Sequence, residues 1–254
     1  MSLDALPVAR GVPPVSAAQM AEADRVATVE LGIPLEALME NAARQIAAVT
    51  RAFLGETEGK LVAALVGNGN NGGDALGALR HLAGWGAQVD AYVAAPERLR
   101  PLARRQYDIL ARLGVAVYDA ATQEDRFLEH RLSGRHVILD GLLGYSSVGA
   151  PYGQIERLIR VANAAGANAP VIAVDLPSGL HPDTGASLGA EAVRAALTVT
   201  LALPKTGLLR ANARSAVGDL VLADIGIPAM AYEALGIADV TGVFAAGDLV
   251  RIIL

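Results

Sequence analysis

The stretch Leu-Val-Ala-Ala-Leu-Val-Gly-Asn-Gly-Asn-Asn-Gly-Gly-Asp, residues 61–74, decides the fold class of this chain. Its first six residues, 61–66, are all apolar, which indicates a strand that is buried on both faces. The glycines and asparagines that follow predict a turn, and a helix is expected over about 74–85. A buried strand that leads through a turn into a helix is typical of a parallel sheet.

The same alternation repeats along the chain. Further strands are predicted at 87–93, 115–118, 136–139, 171–174, 197–202 and 220–223, and helices at about 97–113 and 152–165. Two helices, 16–32 with Ser16 as the N-cap and 34–54, precede the first strand. The pattern predicts an α/β fold: a Rossmann-like, doubly wound, mostly parallel sheet with helices on both faces and an N-terminal helical extension. We expect a tail at 1–15, one domain at 16–230 and a C-terminal extension or linker at 231–254.

Composition narrows the class of protein. Of the 254 residues, 53% are apolar and 19% are charged, which predicts a folded globular chain. A net charge of −5 gives no bulk attraction to nucleic acid or to anionic lipid. The absence of cysteine excludes disulfides and thiolate sites. Because no apolar run reaches the roughly 18 residues of a membrane span and residues 1–14 do not resemble a signal peptide, we expect a soluble, cytoplasmic protein.

Polar residues follow three of the predicted strands at the point where each strand ends. The carboxyl ends of parallel strands meet at one edge of a sheet, where ligands bind. The side chains that we expect to meet there are Asn70, Asn71, Asp140, Asp175 and Ser178. Carboxylate, amide and hydroxyl oxygens favour a hard cation or hydrogen bonds to a polar ligand. The alternative is that Asp140 and Asp175 only cap neighbouring loops.

Two familiar motifs are matched incompletely. Gly67, Gly69 and Gly72 give the spacing of a dinucleotide-binding turn, but its acidic partner would be Asp90, which lies inside a predicted strand. Asp74 would compete with a phosphate for the amides of the first helical turn. A serine nucleophile at position 178 would need glycines at 176 and 180, and both positions are leucine. Ordinary Rossmann dinucleotide binding and serine hydrolysis are therefore disfavoured.

Longer motifs carry a family resemblance. The segment 67–74 resembles the GxGNNGGDG signature of YjeF N-terminal domains, and Asp-Leu-Pro-Ser-Gly-Leu at 175–180, with Asp-Thr-Gly at 183–185, resembles a second segment of that family. Met-Glu-Asn-Ala at 39–42 and Pro-Lys-Thr-Gly-Leu at 204–208 are similar to further family segments. The resemblance implies an isomerase, an NAD(P)HX epimerase that acts on C6-hydrated NADH or NADPH.

The resemblance also implies roles for individual residues. Potassium would be bound by Asn71, Asp140 and Ser178. The substrate would be contacted by Asn70, Asn71, Gly72, Gly73, Asp74, Gly144, Tyr145, Ser146, Ser147, Val148, Gly149, Ala150 and Asp175. Asp175 is the expected catalytic group, because inversion at C6 needs acid–base help. Asp74 and Lys205 are candidates for a second such group.

Three departures from the family pattern bear on substrate binding. Asn68 stands where relatives often have proline, and Ala75 replaces the last glycine of the signature. The loop 144–150 lacks an arginine that the family loop carries, which predicts weaker phosphate contacts. A non-catalytic YjeF-type module that binds a ligand or a protein is therefore the alternative function, and an NAD-dependent dehydrogenase is a third.

Partners follow from the same resemblance. The substrate would be NADHX or NADPHX, and a dehydratase is expected as a separate partner or as a fused domain. The segment 240–254 resembles the linker that leads into such a domain. The N-terminal helices are consistent with a homodimer.

Overall fold

The apolar run at 61–66 forms a central strand of one sheet. In the computed structural model, which describes residues 2–238 and 240–253, nine strands make up this sheet. They are β1 (Val8–Ala9), β2 (Leu61–Val66), β3 (Gln88–Val93), β4 (Ala116–Asp119), β5 (Val137–Gly141), β6 (Val171–Val174), β7 (Leu197–Leu201), β8 (Asp219–Ala223) and β9 (Leu249–Ile252). Each of the predicted strands is found, as β2 to β8; β2 and β6 have the predicted bounds, and the ends of the others differ by at most two residues.

The strand order places a change of direction in the middle of the sheet. The order is β1-β9-β8-β7-β6-β5-β2-β3-β4, and all neighbours are parallel except β8 and β9. From β2 the chain runs outward to β3 and β4. It then returns to β5 on the other side of β2 and continues through β6 and β7 to β8. The order therefore reverses between β2 and β5.

One edge of the sheet is built from the two ends of the described chain. β9 pairs with β8, and β1 pairs with β9 in a register that sets Val8 opposite Arg251. Segments that the sequence indicated as a tail and as an extension thus each give one strand to the sheet. Neither strand was predicted: β1 has only two residues, and β9 lies in the segment that was assigned to an extension or linker.

Eight α-helices connect or flank the strands within the described residues. They are α1 (Ala17–Arg25), α2 (Leu35–Leu54), α3 (Asn70–Gly84), α4 (Pro101–Arg112), α5 (Asp125–Ser133), α6 (Gly153–Ala165), α7 (Arg214–Val217) and α8 (Ala229–Glu233). Ser16 caps α1 as predicted, with its Oγ accepting a hydrogen bond from Gln19 N at 3.1 Å. The expected helix 16–32 is divided, because α1 is followed by a π-helical segment at Val26–Glu30.

Two further helix predictions need correction. α4 begins at Pro101, not at 97, since proline fits the first helical position, and a short 3₁₀ helix, Pro96–Arg98, precedes it. α5 was not predicted at all. Its buried residues are Leu128 and Leu132, and one pair at i, i+4 is too little to reveal a helical period.

Helix α3 begins at Asn70, four residues before the expected start. Gly69 is its N-cap in an extended conformation, and Gly69 O accepts the first helical hydrogen bond from Gly73 N at 3.2 Å. A Cβ atom at Gly72 would lie 2.2 Å from Gly67 O. Gly72 and Gly73, which the sequence assigned to a turn, are thus helical residues, and Gly72 is required by close packing against the preceding loop.

Alternation along β2 shows that both faces of the sheet are covered. Val62, Ala64 and Val66 belong to one hydrophobic cluster, which also contains residues of α1, α2, α3 and α4. Ala63 and Leu65 belong to another cluster, with residues of α5 and α6. The predicted α/β fold with a mostly parallel sheet is confirmed. Within the described ranges, every helix is too short or too polar to cross a membrane.

The contact between α2 and α3 gives a test of the packing. A Cβ atom at Gly77 would lie 2.6 Å from Ala43 Cβ, so Gly77→Ala forces the two helices apart. We expect the free energy of unfolding to fall by about 1–3 kcal/mol, measured by urea denaturation. Gly84→Ala in the same helix is the matched control. Nothing lies within 4 Å of its added Cβ, so stability should be unchanged or rise by up to about 1 kcal/mol. Equal stabilities of Gly77→Ala and wild type would contradict this account of the packing.

Candidate active site

A cavity of about 610 Å³ opens at the carboxyl ends of the parallel strands, where the strand order reverses. Its walls come from residues that follow β2, β3, β5, β6 and β7, and from α1 and α2. Crevices of doubly wound sheets form at this position, because the loops on either side of the reversal leave in opposite directions. The volume lies within the range of about 300–1,000 Å³ that is usual for small-molecule sites.

Asp175 lies at the end of β6 and faces this cavity. Its φ angle is 68°, a left-handed conformation that residues other than glycine rarely adopt. The carboxylate accepts hydrogen bonds from the Nζ of Lys205, from Leu201 N at 3.3 Å and from Tyr145 N at 3.4 Å. Lys205 is 1% exposed and Asp175 is 4% exposed. The carboxylate is thus held by a buried ion pair on a strained backbone.

Tyr145 connects this ion pair to the N-terminal helices. Its hydroxyl donates a hydrogen bond to Oδ2 of Asp24 on α1, and the Nζ of Lys205 lies 5.5 Å from the centre of its ring. Burial and the charge of Asp24 raise the pKa of the Tyr145 hydroxyl, so the phenol keeps its proton. Tyr145 therefore connects the loop after β5 to α1, and its ring lies next to the Asp175–Lys205 pair.

Asp74 is a third carboxyl group in the cavity. It lies in the second turn of α3 and is 7% exposed. Burial raises its pKa well above the ordinary value, the negative charges of Asp175 and Asp24 raise it further, and Lys205 opposes them. Burial also raises the pKa of Asp24, against the hydrogen bond from Tyr145. The cavity thus sets a carboxyl group that favours its protonated form beside the ion-paired Asp175.

Asp140 and Ser178 form a fully buried pair beneath the cavity. Asp140 accepts hydrogen bonds from Ser178 Oγ at 2.6 Å, from Ser178 N at 2.8 Å and from Leu142 N at 3.2 Å. Burial raises the pKa of Asp140 to about 6, against these hydrogen bonds. Among residues 2–238 and 240–253, Asp140 has no ion-pair partner.

Asn71 reaches the same place through the backbone of Leu143. Its Nδ2 donates to Leu143 O at 2.9 Å, and Leu143 N donates to Ser178 Oγ at 2.9 Å. The three residues implied as potassium ligands are therefore neighbours. One buried carboxylate without a cationic partner, together with neutral oxygens, suits a single hard cation of low charge, so the donor set fits the ion.

The structure places most of the predicted substrate contacts on the cavity wall. Those that line it are Asn70, Asn71, Asp74, the loop 144–150 and Asp175. Gly72 and Gly73 do not line it, because both are buried inside α3, where a Cβ at Gly73 would lie 2.8 Å from Met39 Cε. Lys205, a candidate for the second acid–base group, lies beside Asp175.

Sequence reasoning missed three charged residues of the wall: Asp24, Arg98 and Arg100. Asp24 lies in the predicted helix 16–32, but nothing in the sequence shows that this helix lines the cavity. Arg98 and Arg100 lie in the segment between β3 and α4, just after the carboxyl end of β3. Their position at the end of a predicted strand was the available signal.

The conventional dinucleotide-binding alternative requires Asp90 at the ligand, and the structure places that residue elsewhere. Asp90 is buried within β3, where it pairs with Arg131 and Arg135 and accepts a hydrogen bond from Tyr92 OH at 3.0 Å. It does not line the cavity in the described part of the chain. The Asp90 carboxylate thus belongs to an ion-pair cluster with Arg131 and Arg135 beside α5.

Comparisons with known proteins agree with this geometry. Residues 35–207 match the family described as YjeF-related protein N-terminus. The chain is 39% identical over 244 residues to the NAD(P)H-hydrate epimerase of Dehalogenimonas lykanthroporepellens. The aligned region covers 96% of this chain and 94% of the relative. It is 37% identical over 217 residues to the bifunctional NAD(P)H-hydrate repair enzyme Nnr of Moorella thermoacetica, covering 84% of this chain but 40% of that protein.

A solved structure shows the same fold. The crystal structure of the yeast protein ynu0 aligns with a TM-score of 0.78 over 94% of this chain and 100% of that chain. The sequence identity is 22%, so this likeness concerns the fold alone.

The raised pKa of Asp74 predicts a pH-dependent effect of Asp74→Asn. The stability that Asp74 contributes is fully present below the unfolded pKa, for which 3.8 is the ordinary value, and is lost as pH rises through the folded pKa. Asparagine does not ionise. We therefore expect Asp74→Asn to match wild type near pH 4 and to be the more stable protein near pH 8, measured by urea denaturation.

The control is Asp219→Asn at the exposed start of β8, which should match wild type at both pH values. A stability difference for Asp74→Asn that does not change with pH would contradict the buried, protonated state of this carboxyl group.

Proposed function

The chain belongs to the YjeF N-terminal family, and from this membership and the geometry of the cavity we propose that it is an NAD(P)H-hydrate epimerase. This isomerase interconverts the R and S forms of C6-hydrated NADH and NADPH. A curated relative of nearly the same length carries this name. The observation that carries the proposal within the structure is the placement of Asp175, Lys205 and Asp74 around one cavity.

The chemistry of the substrate explains why such a group of side chains is needed. C6 of the hydrated ring bears a hydroxyl group and the ring nitrogen, so it inverts through loss and return of water or through ring opening. Both routes need a proton donor and a proton acceptor. Asp74, which favours its protonated form, is suited to donate, and the Asp175 carboxylate is suited to accept.

Lys205 and the loop after β5 keep the acceptor in place. The ammonium group binds Oδ1 of Asp175, and the backbone N of Tyr145 binds Oδ2. Tyr145 also covers this end of the cavity through its bond to Asp24. Exclusion of water there strengthens the electrostatic contacts of the reacting groups.

Potassium is proposed as the bound cation. Asn71, Asp140 and Ser178 would hold it, and the ion would supply a fixed positive charge beneath the substrate. The fit rests on the buried Asp140 carboxylate and on the neutral oxygens around it. None of these side chains is needed for the proton transfers assigned above.

The alternative of a non-catalytic binding module has no specific support. The bifunctional relatives, of whose length the chain spans about two fifths, are named as NAD(P)H-hydrate repair enzymes and support the enzyme instead. We propose that a dehydratase of NAD(P)H hydrates, as a separate protein or a fused domain, works with this epimerase. The homodimer and the cytoplasmic location expected from the sequence stay predictions.

Asp175→Asn tests the activity and the site together. Purified protein is incubated with R-NADHX, and formation of S-NADHX is followed by chromatography. We expect the variant to lose a factor of about 10²–10⁴ in rate, as is usual for the removal of an acid–base group. Asp219→Asn, outside the cavity, should keep the wild-type rate. Full activity of a folded Asp175→Asn protein would refute the assigned role.

Potassium binding is tested without activity, by thermal unfolding in KCl and in NaCl of equal ionic strength. A ligand at a hundredfold excess over its Kd stabilises by about 2.7 kcal/mol, so Tm should be higher in KCl. Ser178→Ala removes one proposed ligand and should abolish the difference between the salts. Ser187→Ala, an exposed serine outside the cavity, should keep it. An identical Tm of the wild type in both salts would contradict a selective potassium site.

A further inference from the structure

Two arginines stand at the end of the cavity that is remote from Asp175. Arg98 and Arg100 line it from the segment between β3 and α4, and both side chains are exposed. Within residues 2–238 and 240–253, neither forms an ion pair or a side-chain hydrogen bond. By contrast, Lys205 at the other end is buried and paired with Asp175. The arginines are therefore cations of the cavity wall that are available to a ligand.

The neighbouring residues favour an anion at this end. Ala94 and Ala95, directly after β3, also line the cavity. An acidic residue at this point of a dinucleotide-binding sheet binds the 2′-hydroxyl of an adenosine ribose, and a nearby arginine accommodates a 2′-phosphate instead. The acidic residue of β3 itself, Asp90, is paired with Arg131 and Arg135 away from the cavity. After the carboxyl end of β3, two alanines and two arginines are thus found where many dinucleotide-binding sheets have a carboxylate.

The backbone holds this segment against the glycine-rich loop. Arg100 N donates to Asn68 O at 2.9 Å, and Arg100 is the N-cap of α4, a helix of 12 residues. The positive end of the α4 dipole lies here, which adds to the attraction for a phosphate. Asn68 Oδ1 is buried and accepts no hydrogen bond from the described residues. Asn68 lines the same cavity, and a ribose hydroxyl that bound beside it would supply the missing donor.

The spacing of the strands sets the distance that a substrate must span. Three steps across the sheet separate β6 from β3, by way of β5 and β2. At about 4.8 Å a step, the carboxyl ends of β6 and β3 are about 14 Å apart. With the hydrated ring at Asp175, the pyrophosphate of an extended dinucleotide would lie over β5 and β2. The adenosine ribose then reaches the end of β3.

We propose that Arg98 and Arg100 bind the 2′-phosphate of the adenosine ribose, so that this epimerase prefers NADPHX to NADHX. The inference rests on the proposed epimerase function and names its substrate class. The two arginines supply, from a different loop, the phosphate-binding charge that the loop 144–150 lacks.

The kinetic test compares both substrates in wild type, in the double variant Arg98→Gln/Arg100→Gln and in the control Arg112→Gln. Arg112 is an exposed arginine at the far end of α4 and does not line the cavity. We expect wild-type kcat/KM to be at least about tenfold higher for NADPHX, as one charge-assisted hydrogen bond supplies. The double variant should lose this preference, mainly through a higher KM for NADPHX, and Arg112→Gln should keep it. Arg98→Lys should retain part of it.

Direct binding separates this inference from the proposed function. By calorimetry, wild type should bind 2′,5′-ADP more tightly than 5′-AMP by about tenfold or more, and the double variant should bind both alike. Equal losses for NADPHX and NADHX in the double variant would assign the arginines to the pyrophosphate and overturn the inference. So would a wild type without preference in either assay. A wild type that binds 2′,5′-ADP preferentially but epimerises neither hydrate would refute the proposed function and leave the phosphate site standing.

Discussion

The backbone of Gly67 meets the backbone of Leu142 at the point where the strand order reverses. A Cβ atom at Gly67 would lie 1.8 Å from Leu142 O, and Gly67 N donates to Gly141 O at 3.0 Å. Because the two loops touch here, the segment after β5 passes directly over the first turn of α3. That passage brings Leu143 to Asn71 and Ser178, and it places Tyr145 above Asp175. The proposed cation site and the proposed acid–base group thus depend on one close approach of two backbones.

Charge is distributed unevenly within the cavity that this contact creates. Three carboxyl groups, Asp24, Asp74 and Asp175, surround one buried ammonium group, and they compete for its stabilisation. Asp175 forms the direct ion pair with Lys205, and Asp24 accepts a hydrogen bond from Tyr145. Asp74 favours its protonated form. Different protonation tendencies therefore arise among chemically similar side chains, as acid–base catalysis requires.

Much of this arrangement could be predicted from the sequence, because strands that are buried on both faces leave long apolar runs. The run at 61–66 and its counterparts gave the central strands and the edge at which Asp140, Asp175 and Ser178 meet. What could not be predicted depends on packing between distant segments. The helical start at Asn70 is set by the contact of Gly72 with Gly67, and Asp24 reaches the cavity because α1 crosses it. That Arg98 and Arg100 line the cavity likewise depends on the fold, because it follows from the position of β3 in the sheet.

The edge strand β9 has a consequence for the order of folding during synthesis. Residues 249–252 pair with β8 and also carry β1, so this edge of the sheet closes after almost all of the described chain has left the ribosome. Until then, one side of β8 presents unpaired backbone amides and carbonyls, which are a template for association with other chains. The cavity, by contrast, is built by residues between 20 and 225 and does not wait for that closure. A nascent chain can thus assemble the walls of the cavity while its sheet still has an open edge.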